Sequence, residues 1–251
     1  MSEFFSSSDE SVLQTHGLAS FDALWKLQLD AVDAPNTVRG GWSSVFRLEL
    51  GETAYYLKRQ SNYLTHTLRH PFGEPTFARE FRNIQRYRRL GIPALHAAYF
   101  GAQRVAGERR AILLTRALDD WQDLDSWLNG WQEREPAVRT ALLTACARLA
   151  RTLHRARQRH GCFYPKHIFL RPAGDCFEAC LIDLEKTRPL LLGRSDRIVD
   201  VEALIRRASV WSESEVRQLT GVYLNKDVEA PVVESWLSSI DSRRRSKGVR
   251  A

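Results

Sequence analysis

Long apolar runs are missing from this chain of 251 residues. None approaches the roughly 20 consecutive apolar residues that a bilayer-spanning helix needs. Cysteine is sparse, with four residues at 146, 162, 176 and 180. That usage fits reduced thiols in a cytosolic compartment and excludes a disulfide scaffold. Only 14 Gly and 9 Pro are present, which excludes collagen-like and low-complexity designs. The opening MSEFFSSSDES has neither a basic nor an apolar region of the secretory kind, so no signal peptide is expected. What is present is ordinary for a globular protein: 43% hydrophobic and 27% charged residues. At roughly 150 residues per domain, one or two domains are expected, in the cytoplasm.

The net charge of +7 is unevenly spread. Arg243, Arg244, Arg245, Lys247 and Arg250 crowd the end of the chain, and Arg79, Arg82, Arg86, Arg88 and Arg89 form a second basic stretch. Such clusters suit phosphate-rich partners: nucleic acid, anionic lipid or a phosphorylated glycan. They equally suit a solvated tail and a solvated helix face. Without interleaved aromatic residues or a nucleic-acid-binding motif, no nucleic-acid partner is expected.

Periodicity along the chain reads as follows. Residues 1–11 form a short lead with little to bury. Leu18, Phe21, Leu24, Trp25, Leu29 and Val32 recur at helical intervals, predicting a helix over 18–33. From Thr37 to Gln60, alternating aromatic and β-branched residues around Gly51-Glu52 predict antiparallel strands. A loop through RHPFGEPT leads to a helix in PTFAREFRNIQRYRRLG, with Pro75-Thr76 as start and Gly91 as stop. Residues 94–118 predict two further strands. Beyond them the pattern is helical, strongest in ALLTACARLARTLHRARQRH, and interrupted by a strand pair joined at Ala173-Gly174-Asp175. The expected architecture is α+β and bilobal: a lead and helix over 1–35, a strand-rich lobe over 36–118, a mainly helical lobe over 119–241 and a basic tail over 242–251.

Chemistry-bearing residues fall in a telling order. Gly40, Gly41, Ser43 and Ser44, followed by Val45, form a small-residue turn whose backbone N–H groups can approach phosphate oxygens. Lys58 ends an apolar strand run, and Glu80 lies early in the next helix, positioned to pair with it. Singly, each has a plainer explanation: a hairpin, a solvated cation, an acid complementing a helix dipole. Jointly they are the first half of a protein-kinase-like site. In the second half, HGCFYPKH carries the spacing of H-R-D-x-x-x-x-N. His160 is retained, Cys162 stands at the catalytic-base position and His167 at the metal-binding Asn position. LIDLE then supplies Asp183 where D-F-G has its metal-binding Asp.

HPFGEPTFAREFRNIQRYRRLGIPAL, HGCFYPKHIFLR, LIDLEKTR and the Asp200 of DRIVDVEALIRR together resemble the lipopolysaccharide kinase family, the Kdo and heptose (WaaP-type) kinases and their InaA-like relatives. The resemblance spans most of residues 36–225. It implies a protein-kinase-like fold, ATP with Mg²⁺, and phosphoryl transfer to a sugar hydroxyl of the lipopolysaccharide inner core. It makes Gly40, Gly41, Ser43 and Ser44 a phosphate-covering loop and Val45 part of the adenine wall. Lys58 would hold phosphates, Glu80 would orient Lys58, and His167 and Asp183 would hold Mg²⁺. Leu113–Leu118 would be the hinge, and His160 and Asp200 would support the catalytic segment structurally. Lys166, four residues after the base position, would approach the transferred phosphoryl group. The implied partner is the core glycolipid, reached through peripheral contact of the basic tail with the cytoplasmic face of the inner membrane.

Cys162 departs from the family pattern. It motivates a second reading, a kinase-fold protein without transfer that serves regulation or envelope stress. Two other site readings are weaker: the spacing of Cys176 and Cys180 with His154 and His160 is not that of a zinc pair, and a Cys162–His160 dyad lacks a third orienting group and an oxyanion hole.

Overall fold

The computed structural model describes residues 2–38, 40–67 and 70–248. Arg39, Arg69 and, in the basic tail, Arg250 lie outside the described residues. The chain divides into two compact units, one of Met1–Tyr87 with Leu95–Asp119, the other of Arg88–Ala94 with Asp120–Ala251.

The first unit contains β1 (Ser2–Phe5), α1 (Glu10–Thr15), α2 (Phe21–Lys26), β2 (Trp42–Leu50), β3 (Thr53–Ser61), β4 (Leu64–Thr67), β5 (His70–Pro75), α3 (Thr76–Arg89), β6 (Ala97–Val105) and β7 (Glu108–Arg116). Its main sheet is antiparallel, in the order β1-β6-β7-β3-β2. Side chains alternate across a strand, and the two faces have different covers. Phe46, Leu48, Tyr55, Leu57, Tyr99, Ile112 and Leu114 pack against Leu13, Leu18, Phe21 and Leu24 from the first helices. On the opposite face, Phe100 stacks on Phe81 of α3 at 4.5 Å between ring centroids.

Two expectations for the N-terminal segment are corrected. The lead is built into the core: β1 pairs with β6, and the fully buried Asp9 accepts hydrogen bonds from Tyr55, Arg116 and His96. The predicted helix over 18–33 stops at Lys26, after starting on a Ser20 N-cap. Its last carbonyls are taken by a distant side chain, since Arg59 Nη1 donates to Trp25 O and Leu27 O at 2.6 and 2.8 Å. Beyond that point the chain runs extended along β2, with Ala31 bridging Phe46 and Asn36 bridging Ser43. The loop expected at RHPFGEPT is a strand over His70–Pro75, paired with β4. No local signal distinguishes it, because its support is the neighbouring strand together with Arg109, which donates to Phe72 O and Gly73 O.

The second unit contains β8 (Gln122–Asp123), α4 (Leu124–Leu128), α5 (Pro136–Arg155), β9 (Gln158–Arg159), β10 (Ile168–Ala173), β11 (Cys176–Leu181), β12 (Arg188–Pro189), α6 (Arg194–Arg207), α7 (Glu213–Leu224) and α8 (Pro231–Gly248). The apolar face of α5 is buried through Leu142, Leu143, Cys146, Leu149 and Leu153. β10 and β11 form the predicted hairpin, and β8 lies on the other edge of β10. Residues 88–94 belong with this unit: Leu181 N–H donates to Pro93 O, and Ala94 bridges Leu181. The segment read as a basic tail from residue 242 continues α8 to Gly248. Arg243 lies 3.6 Å from Glu202 of α6, an acid that the linear sequence places far from the tail.

Candidate functional site

In the first unit, strand register determines what faces what. Val45 lies opposite Lys58 across β2 and β3, and Leu113 of β7 lies opposite Lys58 on its other side. Paired residues project to the same face, so Val45 and Lys58 share the face that carries α3. There Lys58 Nζ donates to Glu80 Oε1 at 2.7 Å, with the Glu80 side chain 6% and the Lys58 side chain 17% exposed. The pair is positioned by a residue that the sequence reading did not single out. Gln60, buried on the same face of β3, accepts from Thr76 Oγ1 at 2.7 Å and from Phe77 N–H at 2.9 Å. Through Phe77 it satisfies one of the backbone donors that every helix start leaves open, and this fixes α3 so that Glu80, one turn on, reaches Lys58.

The small-residue turn divides into parts with different surroundings. Gly40 has φ +75° and open space where a Cβ would stand. At Gly41 a Cβ would lie 2.2 Å from Ser61 O, so glycine is required there by close approach to the neighbouring backbone. Ser43 N–H is donated to Asn36 O at 3.0 Å. Ser44 is buried and lies opposite Arg59, so strand alternation puts its side chain on the face away from Lys58. The segment expected to act as hinge is strand as far as Arg116, and Ala117 N–H is donated to Ala54 O at 2.8 Å.

In the second unit, a buried network holds the segment 160–167. Asp200 on α6 accepts from His160 N–H at 2.7 Å and from Gly161 N–H at 3.0 Å. His154 of α5 lies 3.3 Å from the same carboxylate. Burial raises the Asp200 pKa, but the His154 hydrogen bond and the neighbouring histidines outweigh it and leave the carboxyl below the ordinary carboxylate value. His160 is fully buried, and loss of hydration lowers its pKa below 6.5. Its partners fix the tautomer: Nε2–H donates to Ile182 O at 3.0 Å, and Nδ1 accepts from Cys162 N–H at 3.3 Å.

His167 carries the opposite tautomer. A carbonyl only accepts, so the 2.9 Å contact of Nδ1 with Cys162 O places a proton on Nδ1. In the neutral ring Nε2 is then a lone pair, and it faces Asp183 Oδ2 at 3.4 Å. Two acceptors facing each other require a cation or a proton between them. A ring nitrogen oriented by a carbonyl behind it is the usual arrangement of a histidine metal ligand. One such nitrogen with one carboxylate is a partial donor set for a divalent cation, whose shell substrate phosphates and water would have to complete. Asp183, two residues past β11, has φ +56° and opens the short 3-10 turn that follows.

The remaining predicted residues are placed as follows. Cys162 is 4% exposed at the base position, between His160 and the buried Phe163. Lys166 is exposed on a short 3-10 turn over Pro165–His167. Cys176 is exposed while Cys180 is buried, and among the described residues no group of three His, Cys, Asp or Glu side chains could hold a metal ion. Beyond Gln60, the sequence reading missed His154 as a partner of Asp200. Its signal was a histidine on the apolar face of α5. Arg159 was also missed, 3.6 Å from Asp200 and 2.9 Å from Asp196.

Residues 22–223 match the lipopolysaccharide kinase (Kdo/WaaP) family. The protein InaA of Escherichia coli K12 is 32% identical over 182 residues, covering 72% of this chain and 83% of that protein. The lipopolysaccharide core heptose(I) kinase WaaP of Pseudomonas aeruginosa is 28% identical over 116 residues, 43% of each protein. A solved structure of WaaP in complex with acyl carrier protein superposes with a TM-score of 0.72 at 20% identity, covering 98% of this chain and 99% of that one, so the fold is kinase-like. With the match extending over most of both units, this chain belongs to the lipopolysaccharide kinase (Kdo/WaaP) family.

Proposed function

We propose that this chain is an ATP-dependent phosphotransferase acting on a sugar hydroxyl, heptose or Kdo, of the lipopolysaccharide inner core. The observation that carries the reading is Lys58, a cation held on a strand by the buried Glu80, within a chain of this family. Lys58 is assigned to the nucleotide phosphates and Glu80 to its orientation. Gly40, Gly41 and Ser43 are assigned to the covering turn, and Val45 to the adenine wall. Ser44, facing the other side of its strand, contributes backbone only. His167 and Asp183 are assigned to Mg²⁺, which when bound neutralises charge on the transferring phosphoryl group. Asp200 and His160 are positioning residues for the segment 160–167, and Lys166 is a cation near the transferred group. Phosphoryl transfer depends chiefly on positioning and charge neutralisation, so it does not demand a carboxylate at position 162.

Calorimetry of nucleotide binding with and without Mg²⁺, followed by transfer of labelled phosphate from ATP to purified core oligosaccharide, tests the reading. Mg²⁺-strengthened binding and label in the sugar are expected. Absence of nucleotide binding would overturn it. The buried thiol at Cys162 favours a second reading, a kinase-fold protein that binds nucleotide or a partner without transfer. Binding with no label in any core fraction would select it. For location, we propose peripheral contact of the α8 end with anionic lipid. Arg243 and Arg244 already face Glu202 and Asp241, so salt-sensitive vesicle sedimentation that is lost on truncation after Asp241 is the required result.

A further inference from the structure

A second concentration of positive charge lies in the helical unit, apart from every residue assigned above to nucleotide or metal. Arg151 and Arg155 from the end of α5, Arg197 from α6, and Tyr223 and Asn225 from the end of α7 line a cavity of about 280 Å³. No carboxylate is among its lining residues. Arg151 donates to neutral groups, Asn225 Oδ1 at 2.7 Å and Val222 O at 3.4 Å. The guanidinium groups of Arg155 and Arg197 have no hydrogen-bond or ion-pair partner among the described residues, and Arg197 Nε is buried without an acceptor.

A helix C-terminus accounts for Arg155, in the last turn of α5. It does not account for Arg197, which sits in the first turn of α6, where the helix dipole disfavours a cation. A buried guanidinium N–H without an acceptor is costly, and the planar fork of arginine matches phosphate oxygens. We propose that this cavity is a binding site for a phosphate-bearing anion, from inorganic phosphate up to a small phosphomonoester. The site is linked to the segment 160–167 through two side chains. His154, which lines the cavity, bridges Tyr223 Oη at 2.8 Å and the Asp200 carboxylate that holds the His160 and Gly161 amides. An anion held there fixes the α5–α6–α7 junction and thereby stiffens the segment 160–167.

The test uses the full chain carrying Lys58→Ala, without Mg²⁺, so that failure of the nucleotide assignment does not affect it. Titration calorimetry with inorganic phosphate and with glucose 6-phosphate, at constant ionic strength, is expected to show saturable binding. Arg197→Gln is expected to weaken it by about tenfold or more, the scale of one lost charge-assisted bond. Arg155→Gln, at an exposed position that leaves the fold intact, is expected to act in the same direction. Binding of phosphate alone identifies the free anion as the ligand, and binding of glucose 6-phosphate identifies the phosphomonoester. No saturable binding of either probe, or equal binding by the Lys58→Ala chain with and without each arginine substitution, overturns the site. Amide exchange at His160 and Gly161 is expected to slow with the anion bound, and unchanged exchange at saturation would overturn the coupling.

Discussion

The two units treat their kinase-like residues differently. In the sheet-bearing unit the cation and its acid are in contact, and the side chain that aligns them, Gln60, is buried beside them. In the helical unit the candidate metal ligands face each other and the supporting Asp200 network is complete, yet the base position holds a buried thiol. Candidate groups for charge and position stand in both, with His167 where the motif has Asn. The position proposed for proton acceptance has no carboxylate. For phosphoryl transfer this is the less damaging loss, since a general base contributes about 10²–10⁴-fold and charge neutralisation carries most of the remainder.

The comparison breaks most severely at Asp183. Its side chain is 42% exposed, so Asp183→Ala should leave the fold intact while lowering Mg²⁺-dependent turnover by about 10³-fold, the scale of removing a charge-stabilising group from phosphoryl transfer. Calorimetry with and without Mg²⁺ checks this; unchanged Mg²⁺ dependence would remove Asp183 from the metal site. In the other unit, Glu80→Ala leaves the Lys58 ammonium in a largely buried position without its acid. Loss of one side of a buried pair costs about 3–5 kcal/mol, and the residual exposure of Lys58 points to the lower end. Denaturant unfolding measures it, with Lys58→Met, which removes the charge as well, expected to be milder.

Cys162 separates the two readings of the function. A transferring enzyme should lose little in Cys162→Ala, and Cys162→Asp should gain up to about 10²-fold. The new carboxylate enters a site only 4% exposed, so unfolding must be followed in the same sample. A protein without transfer shows no labelled sugar in either variant. If the thiolate is the base, Cys162→Ala instead loses activity.

Acid should distinguish the units more gently. The His160 pKa is lowered by burial, so the unfolded chain binds its proton first, and stability falls as pH drops from about 6.5 toward the folded value. Asp9 is held down to about 2 by Arg116, His96 and Tyr55 against the opposing effect of burial. Its contribution is complete above about pH 4 and is lost as pH falls toward 2; by linkage it amounts to about 2 kcal/mol. Amide exchange during acidification should therefore rise first at residues 160–162 and only later in β1 and α1. The reverse order would contradict the assignment of neutral, buried His160.

Much of the site was legible because its signals are local or carried by order. The strand alternation around Lys58, the helix start at Pro75-Thr76 and the strand leading to Asp183 each follow from short patterns. The departure at Cys162 was equally plain. The N-terminal segment was misread because apolar spacing in Leu18–Val32 fits a helix, while the contact that ends it comes from Arg59, far along the chain. Gln60 and His154 gave little signal, since a buried polar residue is identified by its partner and not by its neighbours in sequence.

By itself the sequence determined most element types beyond the N-terminal segment and the β5 strand, the order of the candidate site residues and the family, because these depend on local periodicity and on residue identity. Only the tertiary structure decided which face of β2 each loop residue occupies, which histidine nitrogen is free toward Asp183, and that three arginines from two helices share one cavity without an acid. Register, tautomer and charge compensation are properties of pairs of distant residues, and the chain acquires them only when its elements pack.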